Sequence, residues 1–177
     1  MTIEDIAHRS NVDLPTGRYR LHPELTTVAF SAKKFGLFTI RGTMALSSGT
    51  FTVASPLERS TLHAVLDAAS FTTPMVRRDD HVKGPKLLDA AGYPRLEFDS
   101  TAVVPGAHGW EIEGLLGVHG HMALAVLTVT SATQEGGLVR VAASATVDRR
   151  AHGVTALRVA ASSLVHVQIE AVGTPVR

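Results

Sequence analysis

Apolar and polar residues alternate with period two along most of this chain. Arg18–His22 (RYRLH) predicts a short first strand, and Thr26–Lys33 (TTVAFSAK) a second with Val28 and Phe30 on one face. Phe38–Ser47 and Gly49–Ala54 predict two more, joined by a turn at Ser48-Gly49. Thr61–Ala69 is apolar at nearly every position, and its branched residues and flanking Gly/Ser/Pro breaks favour strand over helix. Arg95–Val104 sets Leu96, Phe98, Ser100, Ala102 and Val104 against Arg95, Glu97, Asp99 and Thr101. Gly109–Leu116 puts Trp110 and Ile112 opposite Glu111 and Glu113, while Met122–Thr130 is apolar on both faces. Leu138–Asp148 and Leu164–Val172 alternate again. Two-faced strands with short turns predict an antiparallel sheet that is wet on one side. Helical crossovers are missing, which argues against a doubly wound α/β fold. Eight or more long strands in 177 residues suit a closed barrel or a sandwich.

One connection breaks the alternation. Ser70–Pro94 has no period-two pattern, and connections of that length in a compact domain are usually lids or binding loops. Pro74 is a candidate helix start, and Leu87, Leu88 and Ala91 form a helix-spaced apolar stripe.

Composition narrows the chemistry. Hydrophobic residues make up 45% of the chain and charged residues 19%, which is a folding composition. The aromatic share of 5% supplies little for stacking bases, and a net charge of +1 implies no field for nucleic acid. The absence of cysteine excludes thiolate nucleophiles, thiolate metal sites and iron–sulfur clusters. Glu4, Asp5, His8 and Arg9 interrupt the apolar stretch a secretory signal needs, so a full-length chain of this sequence is expected in the cytoplasm. No window approaches the ~20 apolar residues of a membrane-spanning helix.

Three clusters could carry chemistry. His119 and His121 stand at i, i+2, which on a strand would place both on one face as metal ligands; the competing reading is a polar hairpin turn, since Gly117 and Gly120 are beside them. Arg77-Arg78-Asp79-Asp80-His81 lies in the long connection, where Asp79 and His81 could serve as an acid–base pair. Ser70 and Thr73 are nearby, but no nucleophile-elbow glycines frame them, and an ion-pair and capping network explains the cluster better. Arg149-Arg150 could hold an anionic head group or simply end a strand in solvent. Neither phosphate-binding glycine motif is present.

Several of these pieces together resemble the YceI-like, polyisoprenoid-binding family of lipocalin-like barrels. The likeness runs from about Gly17 to Val172, behind a lead segment at 1–16 and within a domain at 17–177. It rests on the opening strand pair RYRLHPELTTVAFSAKKFGLFTIRG and on Arg78-Asp79-Asp80-His81-Val82, similar to the family's Arg-Asp-x-His-Leu. Tyr93-Pro94, Phe98-x-Ser100, Gly114-Leu115 with Gly120, and Arg149-x-x-His152-Gly153 follow in the family's order. The chain departs from the pattern at His22-Pro23-Glu24-Leu25-Thr26, at Leu87-Leu88 and at Leu115–His121.

The resemblance implies an all-β fold: an eight-stranded antiparallel lipocalin-like barrel with a long, partly helical connection over one end. It implies a non-enzymatic protein that holds an amphiphilic lipid, such as a polyisoprenoid or isoprenoid quinone, without a cofactor, and that can form a homodimer. The alternation supplies candidate lining for such a ligand: Val28, Phe30, Leu66, Phe98, Ile112, Leu124, Val126, Val141, Val167 and Ile169 as walls. Ala64, Ala102, Gly114, Ala143, Ala145 and Ala171 would leave room. Arg78, Asp79 and His81 are expected near the head group, with Leu87 and Arg149 at the same end.

Overall fold

The computed structural model describes residues 11–155 and 162–177. Its strands are β1 (Asn11–Val12), β2 (Gly17–Leu21), β3 (Thr27–Lys34), β4 (Phe38–Met44), β5 (Leu46–Val53), β6 (Thr61–Asp67), β7 (Arg95–Gly106), β8 (Gly109–Val118), β9 (His121–Glu135), β10 (Leu138–Asp148) and β11 (Leu164–Pro175). One α-helix, α1 (Val76–Lys83), lies in the connection between β6 and β7.

Strands β5 to β11 pair in chain order, and β11 then meets β2 and β3. β2 and β3 are two lengths of one long strand, and β4 and β5 are two lengths of the next, so the ring closes as an eight-stranded antiparallel barrel. Closure leaves no open sheet edge around the ring.

The break between β2 and β3 falls at His22-Pro23-Glu24-Leu25-Thr26, where proline cannot donate to a ladder. Local groups repair it. The His22 N–H donates to the Val172 carbonyl at 2.7 Å, and the Val172 N–H donates to the Thr26 hydroxyl at 3.1 Å. β11 therefore keeps its partners through the interruption. The turn expected at Ser48-Gly49 does not form. The second long strand is instead interrupted at Ala45, and Ser47 is the extra residue of a bulge inside β5.

Two further bulges decide which side chains face inward. Thr101 is extra in β7, between the pairs Ser100–Gly114 and Ala102–Glu113. An extra residue reverses the alternation beyond it. Leu96 and Phe98 thus point inward as expected, but Val103 replaces Ala102 and Val104 on the inner face. Thr130 is extra in β9 in the same way, so Val129 and Ala132 both face in.

The barrel is sealed at one end by Tyr19, Val53 and Val139, with Leu14, Phe51 and Leu57 packed on them. Tyr19 stacks on Phe51 with ring centroids 4.8 Å apart, and its hydroxyl donates to the Pro15 carbonyl at 2.6 Å. The Val12 end of the lead segment continues the seal, pairing with Ala132 of β9. At the other end Met44, Ala68, Leu87, Leu96, Val118 and Val154 pack beneath the β6–β7 connection.

The sealed end is tightly packed and the barrel interior is not, so equal truncations should cost unequally. Tyr19→Ala is expected to lower unfolding free energy by about 3–5 kcal/mol. Ile169→Ala, which removes a cavity-lining side chain that also packs on Leu21, Leu46 and Ala171, should cost less, about 2–3 kcal/mol. Urea denaturation of the two variants checks the order.

Candidate functional site

The interior holds a cavity of about 720 Å³. Space survives there because alternate inward positions on β10 and β11 carry small or branched side chains: Val141, Ala143, Ala145 and Val147, then Val165, Val167, Ile169 and Ala171. An eight-stranded barrel filled with large side chains would be solid. Val28, Phe30, Ala64, Leu66, Phe98 and Ile112 complete the walls, as the alternation predicts. Gly114 is buried but is not part of the lining.

Two predicted wall residues lie elsewhere. Leu124 is 64% exposed, and Val126 does not line the cavity; Ala125, Leu127 and Val129 do. β9 is apolar on both faces, so its sequence carries no parity signal. Its outer face is apolar because Leu124 pairs with Leu115 and Met122 with Gly117 across β8.

The β6–β7 connection forms the roof. Thr72 bridges to Thr43 of β4 with backbone bonds of 2.9 and 3.0 Å. Gly42 permits that approach, since a Cβ there would stand 2.8 Å from the Thr72 carbonyl oxygen. α1 follows Pro74, as the sequence suggested, but Leu87, Leu88 and Ala91 lie in turns and not in a helix. Leu87 still plugs inward at 4% exposed and lines the cavity.

Asp79 is buried beneath α1 and organises this roof. Its carboxylate accepts from the Thr73 hydroxyl at 2.7 Å, the Thr73 N–H at 2.8 Å and the Thr72 hydroxyl at 3.3 Å. Burial works against its ionisation, but these three donors and the charge of Lys83 outweigh it and hold the carboxyl below its ordinary range. Asp79 does not line the cavity and makes no hydrogen bond with His81 among the described residues; in place of the expected head-group and acid–base roles it ties α1 to Thr72 and Thr73.

Arg78 and His81, one turn of α1 apart, do line the cavity mouth, and so does Arg149. Arg77 and Lys34 join them. Among the described residues the ionisable groups around the cavity are all basic, and no Asp or Glu lines it. Arg149 donates, among the described residues, to the backbone carbonyls of Ser162 at 3.0 Å and Val154 at 2.7 Å. Burial first, then the charge of Arg150, makes its guanidinium easier to deprotonate than usual. Its neighbour Arg150 instead pairs with Asp148 at 3.2 Å.

His152 was quoted in the sequence only as part of a motif, yet it is 1% exposed and lines the cavity. Its Nδ1 has no hydrogen-bond partner among the described residues. Burial pushes its pKa down, against the backbone carbonyls of His121 and Leu116. The next residue, Gly153, takes φ of 73°, and the His121 ring lies over it, 2.6 Å from where a Cβ would be. His119 and Gly120 have φ of 50° and 72°, the two central residues of a tight hairpin. His119 is therefore a turn residue, not a strand neighbour of His121, and the His121 Nδ1 is 2.8 Å from the His119 carbonyl oxygen. Among the described residues no group of three or more His, Asp or Glu is placed to hold a metal.

The barrel, roof and cavity coincide with a known sequence profile, that of the YceI-like domain, over residues 19–173. The chain belongs to the YceI-like family. UPF0312 proteins of Pseudomonas syringae pv. tomato and Pseudomonas savastanoi pv. phaseolicola are each 36% identical over 95 residues, 52% of this chain. The match spans half the length of these curated relatives. The YceI-like barrel also resembles Burkholderia cenocepacia BcnA, with a TM-score of 0.74 at 20% identity over 87% of this chain and 99% of that one. A polyisoprenoid binding domain from Saccharophagus degradans gives a TM-score of 0.66 at 16% identity, over 89% and 98% of the two chains.

The depressed His152 pKa has a consequence for stability. The unfolded chain takes up a proton near the ordinary value of 6.5, while folded His152 resists it. Stability attributable to this group should be full above that value and fall as pH drops below it. Melting temperature is expected to decline between about pH 7.5 and about pH 5.5, and His152→Gln should flatten that slope. Thermal melts across the range, comparing slopes and not absolute values, decide the matter.

Proposed function

We propose that this protein binds and carries an amphiphilic lipid, an isoprenoid chain or isoprenoid quinone, with the tail in the barrel and the head group at the basic mouth, and that it does so without catalysis. The observation that carries this reading is the cavity itself: walls of Val, Leu, Ile, Phe and Ala, sealed at one end, with the ionisable groups among the described lining residues at or near the other. Each buried CH₂ contributes roughly 0.8 kcal/mol, so a long tail binds well without specific contacts. Lys34, Arg77, Arg78 and His81 offer donors to a carbonyl, hydroxyl or phosphate head. The structural neighbour described as a polyisoprenoid binding domain supports the same class of ligand.

Asp79, spent on Thr72 and Thr73, leaves His81 without the partner that acid–base catalysis would use. For the homodimer, the outer face of β8 and β9 is the best surface, where Leu115, Met122 and Leu124 lie exposed and adjacent.

Native mass spectrometry of protein made in its own host should show a lipid-sized adduct released by organic solvent. Filling the cavity with Ala143→Phe and Ala145→Phe should cut the loaded fraction by about tenfold, equivalent to roughly 1.4 kcal/mol. Wild-type protein that is uniformly free of lipid would count against the proposal.

A further inference from the structure

The rim of the cavity mouth is more apolar than a water-facing rim needs to be. The β3–β4 hairpin exposes Phe35 at 59%, Leu37 at 79% and Phe38 at 65%. Its tip is also strained: in the three-residue loop Phe35–Leu37, Phe35 takes φ of 51° and Gly36 69°, where Asn or Gly is the usual first residue. Across the mouth, Met75 and Val76 at the start of α1 are 52% and 73% exposed. Met75 occupies the N-cap and makes no side-chain cap bond, where Ser, Thr or Asp would stabilise the helix. Lys34, Ile40, Met75 and Arg77 line one cavity, so the two apolar edges flank one opening.

The charges around these edges have one sign. Residues 32–44 contain Lys33, Lys34 and Arg41 and no carboxylate. On α1, Arg77 and Arg78 face one exposed acid, Asp80, because Asp79 is buried and engaged. None of these five cations makes an ion pair among the described residues. The Lys34 ammonium lies 5.5 Å from the Phe35 ring centre, and Lys33 bonds Thr39. Exposed rings and aliphatic side chains interleaved with unpaired cations are what an interfacial anchor presents to acyl chains and anionic head groups.

We infer that the β3–β4 hairpin and the start of α1 dock the barrel mouth-down on an anionic phospholipid bilayer. The purpose of such docking rests on the lipid-carrier reading: a bilayer-seated mouth lets a tail pass between membrane and cavity without crossing water. The docking itself is separately measurable.

The test uses the full chain and sucrose-loaded vesicles of phosphatidylcholine alone or with about 30% phosphatidylglycerol. The protein should sediment with the anionic vesicles, and about 0.5 M NaCl should release much of it. Lys33→Gln and Arg41→Gln should each weaken partitioning about fivefold. Leu37→Ser with Phe38→Ser should abolish it. None of these four residues lines the cavity, so circular dichroism and the binding of an isoprenoid supplied in detergent should stay unchanged. Equal binding to both vesicle types, or none to either, overturns the inference. So does a wild-type dimer that the Leu37/Phe38 variant converts to monomer while vesicle binding is absent, since the patch is then a contact between copies. Vesicle binding by a protein that never carries lipid would uphold docking and refute the cargo.

Discussion

Everything inside this barrel depends on the two edges of β11. One edge takes β10 along nearly its full length; the other is divided between β2 and β3. The backbone groups at the division are satisfied by His22 and by the Thr26 hydroxyl. Without that repair the ring would carry an unpaired stretch exactly where the wall must stay continuous, and unmet backbone groups in a wall cost about as much as lost hydrogen bonds. A closed ring, in turn, frees the interior from a structural task. The hydrogen-bonded wall, the two end clusters and a third cluster of Leu21, Leu46 and Ala171 against one wall hold the fold, so space can remain beside them.

That division of labour separates the two ends chemically. One end is dry and packed around Tyr19 and Val139; the other is roofed, basic and fixed by the Asp79 network to β4 through the Thr43–Thr72 bridge. The chain has no cysteine for a covalent staple, and the described residues of the roof form no metal site. The order of the roof comes from one buried carboxylate and the inward packing of Leu87. An amphiphile meets this polarity in the same order as its own parts are arranged.

Much of the barrel was legible because alternation survives wherever one strand face is wet. β10 and β11 carry clear signals, and Val141, Val167 and Ile169 face inward as read. The reading failed where the physics leaves no trace in the pattern. β9 is apolar on both faces, so Leu124 and Val126 could not be told from Ala125 and Leu127. Bulges at Ser47, Thr101 and Thr130 shift parity without a glycine to mark them. The site was legible as a region more than as roles. Arg78 and His81 reach the mouth, but adjacent Asp79 turns under the helix to two threonines, a choice made by tertiary contacts. His152 was hidden because a lone histidine on a strand-end turn gives no sign of its burial.

The sealed end has a further meaning for traffic. Among the described residues, a tube closed by Tyr19, Val53, Leu14 and Leu57 opens at its other end. The lipid cargo proposed above could not flow through it, and an outgoing molecule would have to clear the passage before the next could enter. Exchange in such a vessel follows turn-taking: what was taken up leaves by reversing its own path, head group first. On the lipid-carrier proposal, the rate at which the protein turns over its contents would be governed by how readily it empties, however much fresh lipid surrounds it.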